Sequence, residues 1–318
     1  MRPPGAAARG PVVDPARLPR AVTVYEVGPR DGLQNEANAL PTAVKRAFVE
    51  DLAAAGLRWV EATSFVHPRW VPQLADAAEL LAGLARAPDA RYPVLVPNEK
   101  GLDRALAAGV DAVAVFAAAT DGFSRRNQNA PVAEVMAGLR PVVERARAAG
   151  LWVRGYLSVC WGCPVEGAVA PAQVAALARD LVGLGVDAVS LGDTVGVATP
   201  GGVERVLDAV AEHAAPERLA LHMHDTRGAA LANCFAGLLW GVTTFDASAG
   251  GLGGCPYAPG ASGNLDTCDL VHLLDGLGVA TGVDVEAVRR AAARLVPYLG
   301  RPLPGRYSRA GAFHPQPG

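Results

Sequence analysis

The chain has 318 residues, is 51% hydrophobic and 19% charged, and carries a formal net charge of -2. That balance offers no basic surface to nucleic acid or an anionic membrane, and no apolar run reaches the roughly 18 residues of a membrane span. Five cysteines in a chain this long make no disulfide framework and point to a reducing, cytoplasmic setting.

Residues 1–20 are rich in Pro, Ala and Arg, lack the apolar core of a signal peptide, and read as a disordered tail. The β-branched and aromatic stretch 21–27 predicts a strand that ends at the turn Gly28-Pro29-Arg30-Asp31-Gly32. Apolar residues at helical spacing over 42–55 predict a helix, followed by a strand over 57–62 that ends in Thr63-Ser64-Phe65. The alternation continues with a helix over 72–86 and a strand over 92–96 ending in Pro97-Asn98. A short helix then leads into a strand over 110–117, and 131–149 is helical with Pro141 expected to kink or break it. Further strands are expected over 151–159, 186–191, 219–224 and 242–247, with helices over 171–184, 200–213 and 228–240 between the later ones.

Five junctions share one form, a helix stopped by a glycine that feeds a strand: Gly56, Gly109, Gly150, Gly185 and Gly241. Each glycine is expected in the left-handed region. Eight strand–helix units predict an α/β fold, a (β/α)8 TIM barrel over 21–300, with 301–318 as a C-terminal tail. A doubly wound open sheet is the alternative, but the dinucleotide fingerprint is missing after the first strand. In a barrel the active site lies at the C-terminal ends of the strands. Those ends deliver Arg30 and Asp31, Glu61, Asn98, Asp193 with Thr194, and His222 with His224. The loop 250–264 after the eighth strand adds Cys255 and Asn264 among glycines and prolines that no helix or strand tolerates.

His222 and His224 stand two apart on a strand and share a face, so both imidazoles can bind one divalent ion. The Asp31 carboxylate and an amide oxygen of Asn264 complete a mixed N/O set suited to Mg2+ or Mn2+. Other chemistry-bearing residues read as structural. Cys160-x-x-Cys163 has no second pair at zinc spacing, Cys234 and Cys268 sit in helical stretches, and Arg125-Arg126 reads as a solvated pair. Glu26, in mid-strand, is expected to partner an inward-facing Arg.

The stretch from Glu26-Val27-Gly28-Pro29-Arg30-Asp31-Gly32 to Glu36 resembles the opening signature of the 3-hydroxy-3-methylglutaryl-CoA lyase family. Glu61-Ala62-Thr63-Ser64-Phe65, Gly192-Asp193-Thr194, His222-Met223-His224-Asp225-Thr226 and the Cys255 loop resemble it too, in family order from about 22 to 277. The resemblance implies a metal-dependent retro-Claisen cleavage of an acyl-CoA into acetyl-CoA and acetoacetate. A homodimer is one assembly open to such a chain, and the sequence does not fix the oligomeric state. It implies Asp31, His222, His224 and Asn264 as metal ligands and Arg30 as the group that neutralises the thioester enolate. Cys255 becomes the thiol that protonates the carbanion, Glu61 and Asp193 supporting acids, and Asn98 and Thr194 substrate contacts. The general base is His222 or Asp31.

Three departures from the family stand out. Val165 replaces a usual tyrosine, Arg227 another, and the terminus Gln316-Pro317-Gly318 lacks a peroxisomal ending. A bulkier 3-hydroxy-3-alkylglutaryl-CoA is therefore an alternative substrate. A condensing enzyme resembling the isopropylmalate and homocitrate synthases would use a similar metal-dependent barrel, and a barrel could also bind its ligand without turnover.

Overall fold

The computed structural model describes residues 14–254 and 263–312; Cys255 lies outside them, as does most of the expected N-terminal tail. Eleven strands are present among the described residues: β1 (Thr23–Glu26), β2 (Trp59–Val60), β3 (Thr63–Ser64), β4 (Val94–Leu95), β5 (Ala112–Ala118), β6 (Trp152–Ser158), β7 (Gly162–Cys163), β8 (Gly167–Ala168), β9 (Ala188–Asp193), β10 (Leu219–Met223) and β11 (Thr244–Ala247). Nine form one parallel sheet in the order β2-β1-β11-β10-β9-β6-β5-β4-β3.

The two ends of that order are halves of one stave. Glu61 N donates to Glu26 O beside β1, and Ala62 N donates to Pro93 O beside β4, at 2.8 and 2.9 Å. Val60 N donates to Arg91 O on that same β4 side at 3.0 Å, so the stretch 59–64 bonds both neighbours by turns, and the sheet closes into an eight-stave (β/α)8 barrel, as the eight strand signals predict. The β7–β8 hairpin is an addition on the rim after β6.

All five junction glycines have positive φ; Gly56 at +99° shows why, since a Cβ there would lie 2.1 Å from Gly282 O. Two helix expectations are corrected. The helix expected over 72–86 divides into a 3-10 turn at Pro72–Leu74 and a short helix at Ala77–Ala82. Of the kink or break expected at Pro141, the break is absent: the helix is continuous over Val132–Ala148. A mid-helix proline costs about 3 kcal/mol; here Leu139, Val142, Val143 and Ala146 are buried on both sides of it, and that packing holds the turn.

The main core lies between sheet and helices, where alternate strand residues such as Val153, Leu157, Val189, Leu191, Leu221 and Phe245 point outward from the barrel. The lumen is polar. Arg154, 1% exposed, is paired in register with Ala114 on β5 and Ala188 on β9, and these small neighbours leave room for its side chain. Its guanidinium lies over the rings of Tyr25 and Tyr156, at 3.8 and 4.8 Å. The residues after 300, expected as a tail, dock on the barrel: Arg306 bonds Asp225, and Ser308 Oγ donates to Asp266 at 2.7 Å.

Glu26 is buried but has no arginine partner among the described residues. Its Oε1 accepts from Gly28 N and Ala249 N at 2.7 and 2.9 Å, and its Oε2 from Thr267 Oγ1 at 2.6 Å. Burial outweighs these bonds and raises the carboxyl from 4.5 to about 7. Below the unfolded value both states hold the proton. Between 4.5 and about 7 only the folded state does, so this group costs stability as pH rises, by roughly 3 kcal/mol in full. Glu26→Gln keeps all three bonds, its amide nitrogen donating to Thr267. Thermal unfolding near pH 7.5 should find the variant at least as stable as wild type, with that advantage gone near pH 5. An equal gap at both pH values would contradict the assignment.

Candidate active site and metal centre

The site forms at the C-terminal mouth, where the turn after β1 meets the end of β10. Residues Gly28–Gly32 follow β1 as one tight helical turn with Pro29 at its start. That turn aims Arg30 and Asp31 in one direction. Arg30, 6% exposed, donates from Nε to Glu61 Oε2 at 2.8 Å and from Nη1 to Asp31 Oδ1 at 2.7 Å. Glu61 lies in the second stave between β2 and β3 and also accepts from Tyr156 Oη at 3.0 Å. The guanidinium is thus fixed between two carboxylates and lies 5.3 Å from the Tyr156 ring.

Opposite it, His222 and His224 share a face of the chain leaving β10, as their spacing predicts. Their Nε2 atoms approach to 3.2 Å, and His222 Nε2 lies 3.9 Å from Asp31 Oδ2. Asn264 donates from Nδ2 to Asp31 Oδ2 at 2.8 Å and to Leu252 O at 3.1 Å. Both of those partners are acceptors, which places the amide nitrogen there and turns Oδ1 away. Asn264 Oδ1 and His224 Nδ1 are buried without a hydrogen-bond partner among the described residues.

Charge follows the geometry. Burial opposes the ionised Asp31 carboxyl, but the Arg30 guanidinium and the two imidazoles hold it down at about 2. Burial and the neighbouring His222 push His224 down to about 3, so its imidazole is neutral near pH 7. Burial lowers His222 too, and its bond to Asp246 more than offsets this, raising it overall.

Asp31, His222 and His224 bring one donor atom each within 4.8 Å of one another. A carboxylate held ionised, two imidazoles with converging nitrogens and an orphaned amide oxygen beside them fit a divalent cation. A buried carbonyl oxygen without a donor is costly, and a cation in reach would satisfy it.

The family model described as HMGL-like matches residues 21–296. The chain belongs to the HMGL-like family. It is 50% identical over 284 residues to the mitochondrial hydroxymethylglutaryl-CoA lyase of Bos taurus, covering 89% of this chain and 87% of that one. It is also 50% identical over 293 residues to the 3-hydroxy-3-isohexenylglutaryl-CoA/hydroxy-methylglutaryl-CoA lyase of Pseudomonas aeruginosa, covering 92% of this chain and 98% of that one. The crystal structure of hydroxymethylglutaryl-CoA lyase from P. aeruginosa superimposes with a TM-score of 0.91 at 49% identity, over 92% of this chain and 98% of that one. An HMG-CoA lyase from A. baumannii in complex with coenzyme A and 3-methylmalate gives 0.88 at 36% identity, over 94% and 98% of the two chains.

In this HMGL-like barrel the remaining expected residues lie around the centre in different ways. Asp193 is buried, and its two oxygens accept from Val197 N and Ala198 N at 2.9 Å, so it shapes the turn after β9. Thr194 Oγ1 accepts from Val159 N at 2.9 Å and so braces a β-branched residue held at φ +57°. Asn98 is exposed and caps the helix Glu99–Ala107, its Oδ1 accepting from Gly101 N at 3.0 Å. The four described cysteines are all buried and unpaired, in keeping with structural roles. Cys163 Sγ accepts from Thr120 Oγ1 at 3.1 Å.

Sequence reading missed Asp246 and Arg154. Asp246 Oδ2 bonds His222 Nδ1 at 3.2 Å and Ser190 Oγ at 2.9 Å, while Oδ1 pairs with Arg154 Nη2 at 2.5 Å. The carboxylate holds the proton of His222 on Nδ1 and leaves Nε2 free to coordinate. A carboxylate placed mid-strand, facing inward, was the available signal.

Asp246→Asn should keep an acceptor for Arg154 but present an amide donor to His222 Nδ1. That favours the proton on Nε2 and should weaken Mn2+ binding about 10- to 100-fold by calorimetric titration. Unchanged affinity in a folded variant would show that Asp246 does not set the tautomer.

Proposed function

We propose that this chain is a divalent-metal-dependent carbon–carbon lyase that cleaves 3-hydroxy-3-methylglutaryl-CoA into acetyl-CoA and acetoacetate. The reading is carried by the convergence of Asp31, His222, His224 and Asn264 beside the Arg30–Glu61 pair, in a chain half identical to relatives named as lyases of this substrate. Asp31, both histidines and the Asn264 amide oxygen would hold Mg2+ or Mn2+. Bound there, the ion supplies a Lewis acid for the tertiary hydroxyl of the substrate.

Arg30 does the electrostatic work. Bond cleavage pushes electrons into the thioester, and a guanidinium held rigid by Glu61 and Asp31 stabilises the oxyanion without reorganising. Of the two expected bases, Asp31 takes the hydroxyl proton, because His222 has Nδ1 engaged by Asp246 and Nε2 turned to the ion. Cys255 returns a proton to the carbanion, since a thiol of ordinary pKa, about 8.5, is protonated at neutral pH. Asp193 and Thr194 fix the turns around the pocket, and Asn98 holds the third rim loop from which a substrate contact is expected.

The P. aeruginosa relative is named for two substrates, which favours a second reading, activity on a bulkier 3-hydroxy-3-alkylglutaryl-CoA. Val165, 49% exposed on the β7–β8 hairpin, is a small side chain at the rim in keeping with that breadth. No helix among the described residues is long and apolar enough to cross a membrane. A relative in Rattus norvegicus, 48% identical, is named as cytoplasmic, which supports a cytoplasmic placement here. A homodimer is one assembly open to this chain.

The test is acetoacetate release from 3-hydroxy-3-methylglutaryl-CoA with Mg2+ or Mn2+. Release should vanish with chelator, and Arg30→Gln and Cys255→Ala should each lower kcat by on the order of 100-fold or more. Comparing kcat/KM for 3-hydroxy-3-isohexenylglutaryl-CoA decides the second reading. No release from either thioester by metal-loaded protein would sink the lyase proposal.

A further inference from the structure

Glu36 lies at the end of the segment that carries Arg30 and Asp31. It is 5% exposed and takes no part in the donor set. Its carboxylate is gripped by Arg301, with Nη2 on Oε1 and Nε on Oε2, the latter at 3.2 Å. The same Oε1 accepts from Gly253 N at 3.3 Å. One buried carboxylate thus joins three pieces of chain: the turn after β1, the segment after residue 300, and the backbone two residues before Cys255.

Gly253 has little freedom of its own. It sits at φ +106°, where a Cβ would lie 2.9 Å from Asn264 Nδ2. Leu252 O is fixed by Ser248 Oγ at 2.9 Å and Asn264 Nδ2 at 3.1 Å, and Glu36 adds a further tie on this approach. A side-on guanidinium fork neutralises the carboxylate and fixes its plane together.

We infer that the Glu36–Arg301 pair is a positioning device, which holds the backbone at Gly253 against the Arg30–Asp31 turn and so sets where the cysteine-bearing stretch leaves the barrel. It does not touch substrate. Its kinetic consequence rests on the lyase reading, whereas the backbone tie does not.

Two variants test it in the full chain. Arg301→Met removes the fork, and Arg301→Lys keeps the charge with one point contact. By hydrogen exchange, Arg301→Met should lose at least ~10-fold protection in a peptide covering 248–254, with a β10 peptide unchanged. Its kcat should fall at least ~10-fold with KM within about 3-fold and Mn2+ affinity unchanged, and Arg301→Lys should recover part of kcat. Unchanged exchange at 248–254 overturns the tie whether or not the protein is a lyase. Faster exchange at 248–254 with kcat intact, or a kcat loss matched by equal losses in Mn2+ affinity and thermal stability, overturns the positioning role. Local loosening in a protein whose wild type cleaves neither thioester leaves the tie standing and removes the lyase reading instead.

Discussion

Arg154 crosses the barrel lumen almost wholly out of water, and a charge there must be met by another. Asp246 meets it from across the lumen, and removing one partner of such a pair costs about 3–5 kcal/mol. The other oxygen of that carboxylate is what His222 leans on. A pairing required by the fold therefore also orients a candidate metal ligand. The lumen holds this polar network beside a small apolar patch of Leu95, Ala114 and Tyr156, with the apolar bulk displaced to the layer between strands and helices.

The second organising feature is the second stave, hydrogen-bonded to β1 on one side and to the stretch around β4 on the other. Glu61 lies between its two halves, β2 and β3, where Arg30 and Tyr156 both reach its side chain. Arg30 is then held by Glu61 on one side and Asp31 on the other, and Asp31 is held by Asn264 across the mouth. Each polar side chain is fixed by a residue from a different stave or loop. Such preorganisation gives electrostatic stabilisation its effect, because little must move as charge develops.

Much of this was legible in the sequence because the signals are local. A helix stopped by glycine before a β-branched run marks a stave, and the five junction glycines all sit at positive φ. Two histidines at spacing two share a face by the geometry of any strand. What stayed hidden depends on registry between distant staves. Asp246 stands opposite His222 in the β10–β11 register, and Arg154 reaches Asp246 across 92 positions of chain. Glu26 shows the same limit: its partners are two backbone amides and Thr267, which only the closed barrel brings together. Pro141 leaves its helix unbroken for a related reason, since burial on both sides of it outweighs a local preference.

The most direct measurement is the stoichiometry of Mn2+ binding by electron paramagnetic resonance, in wild type and in Asp31→Ala, His224→Ala and Glu61→Gln. The turn after β1 and the end of β10 should together hold one ion per chain. That site should be lost in the first two variants and kept in the third, because Glu61 serves Arg30 and not the donor set. Tight single-site binding that survives both Asp31→Ala and His224→Ala would place the ion elsewhere and contradict the account.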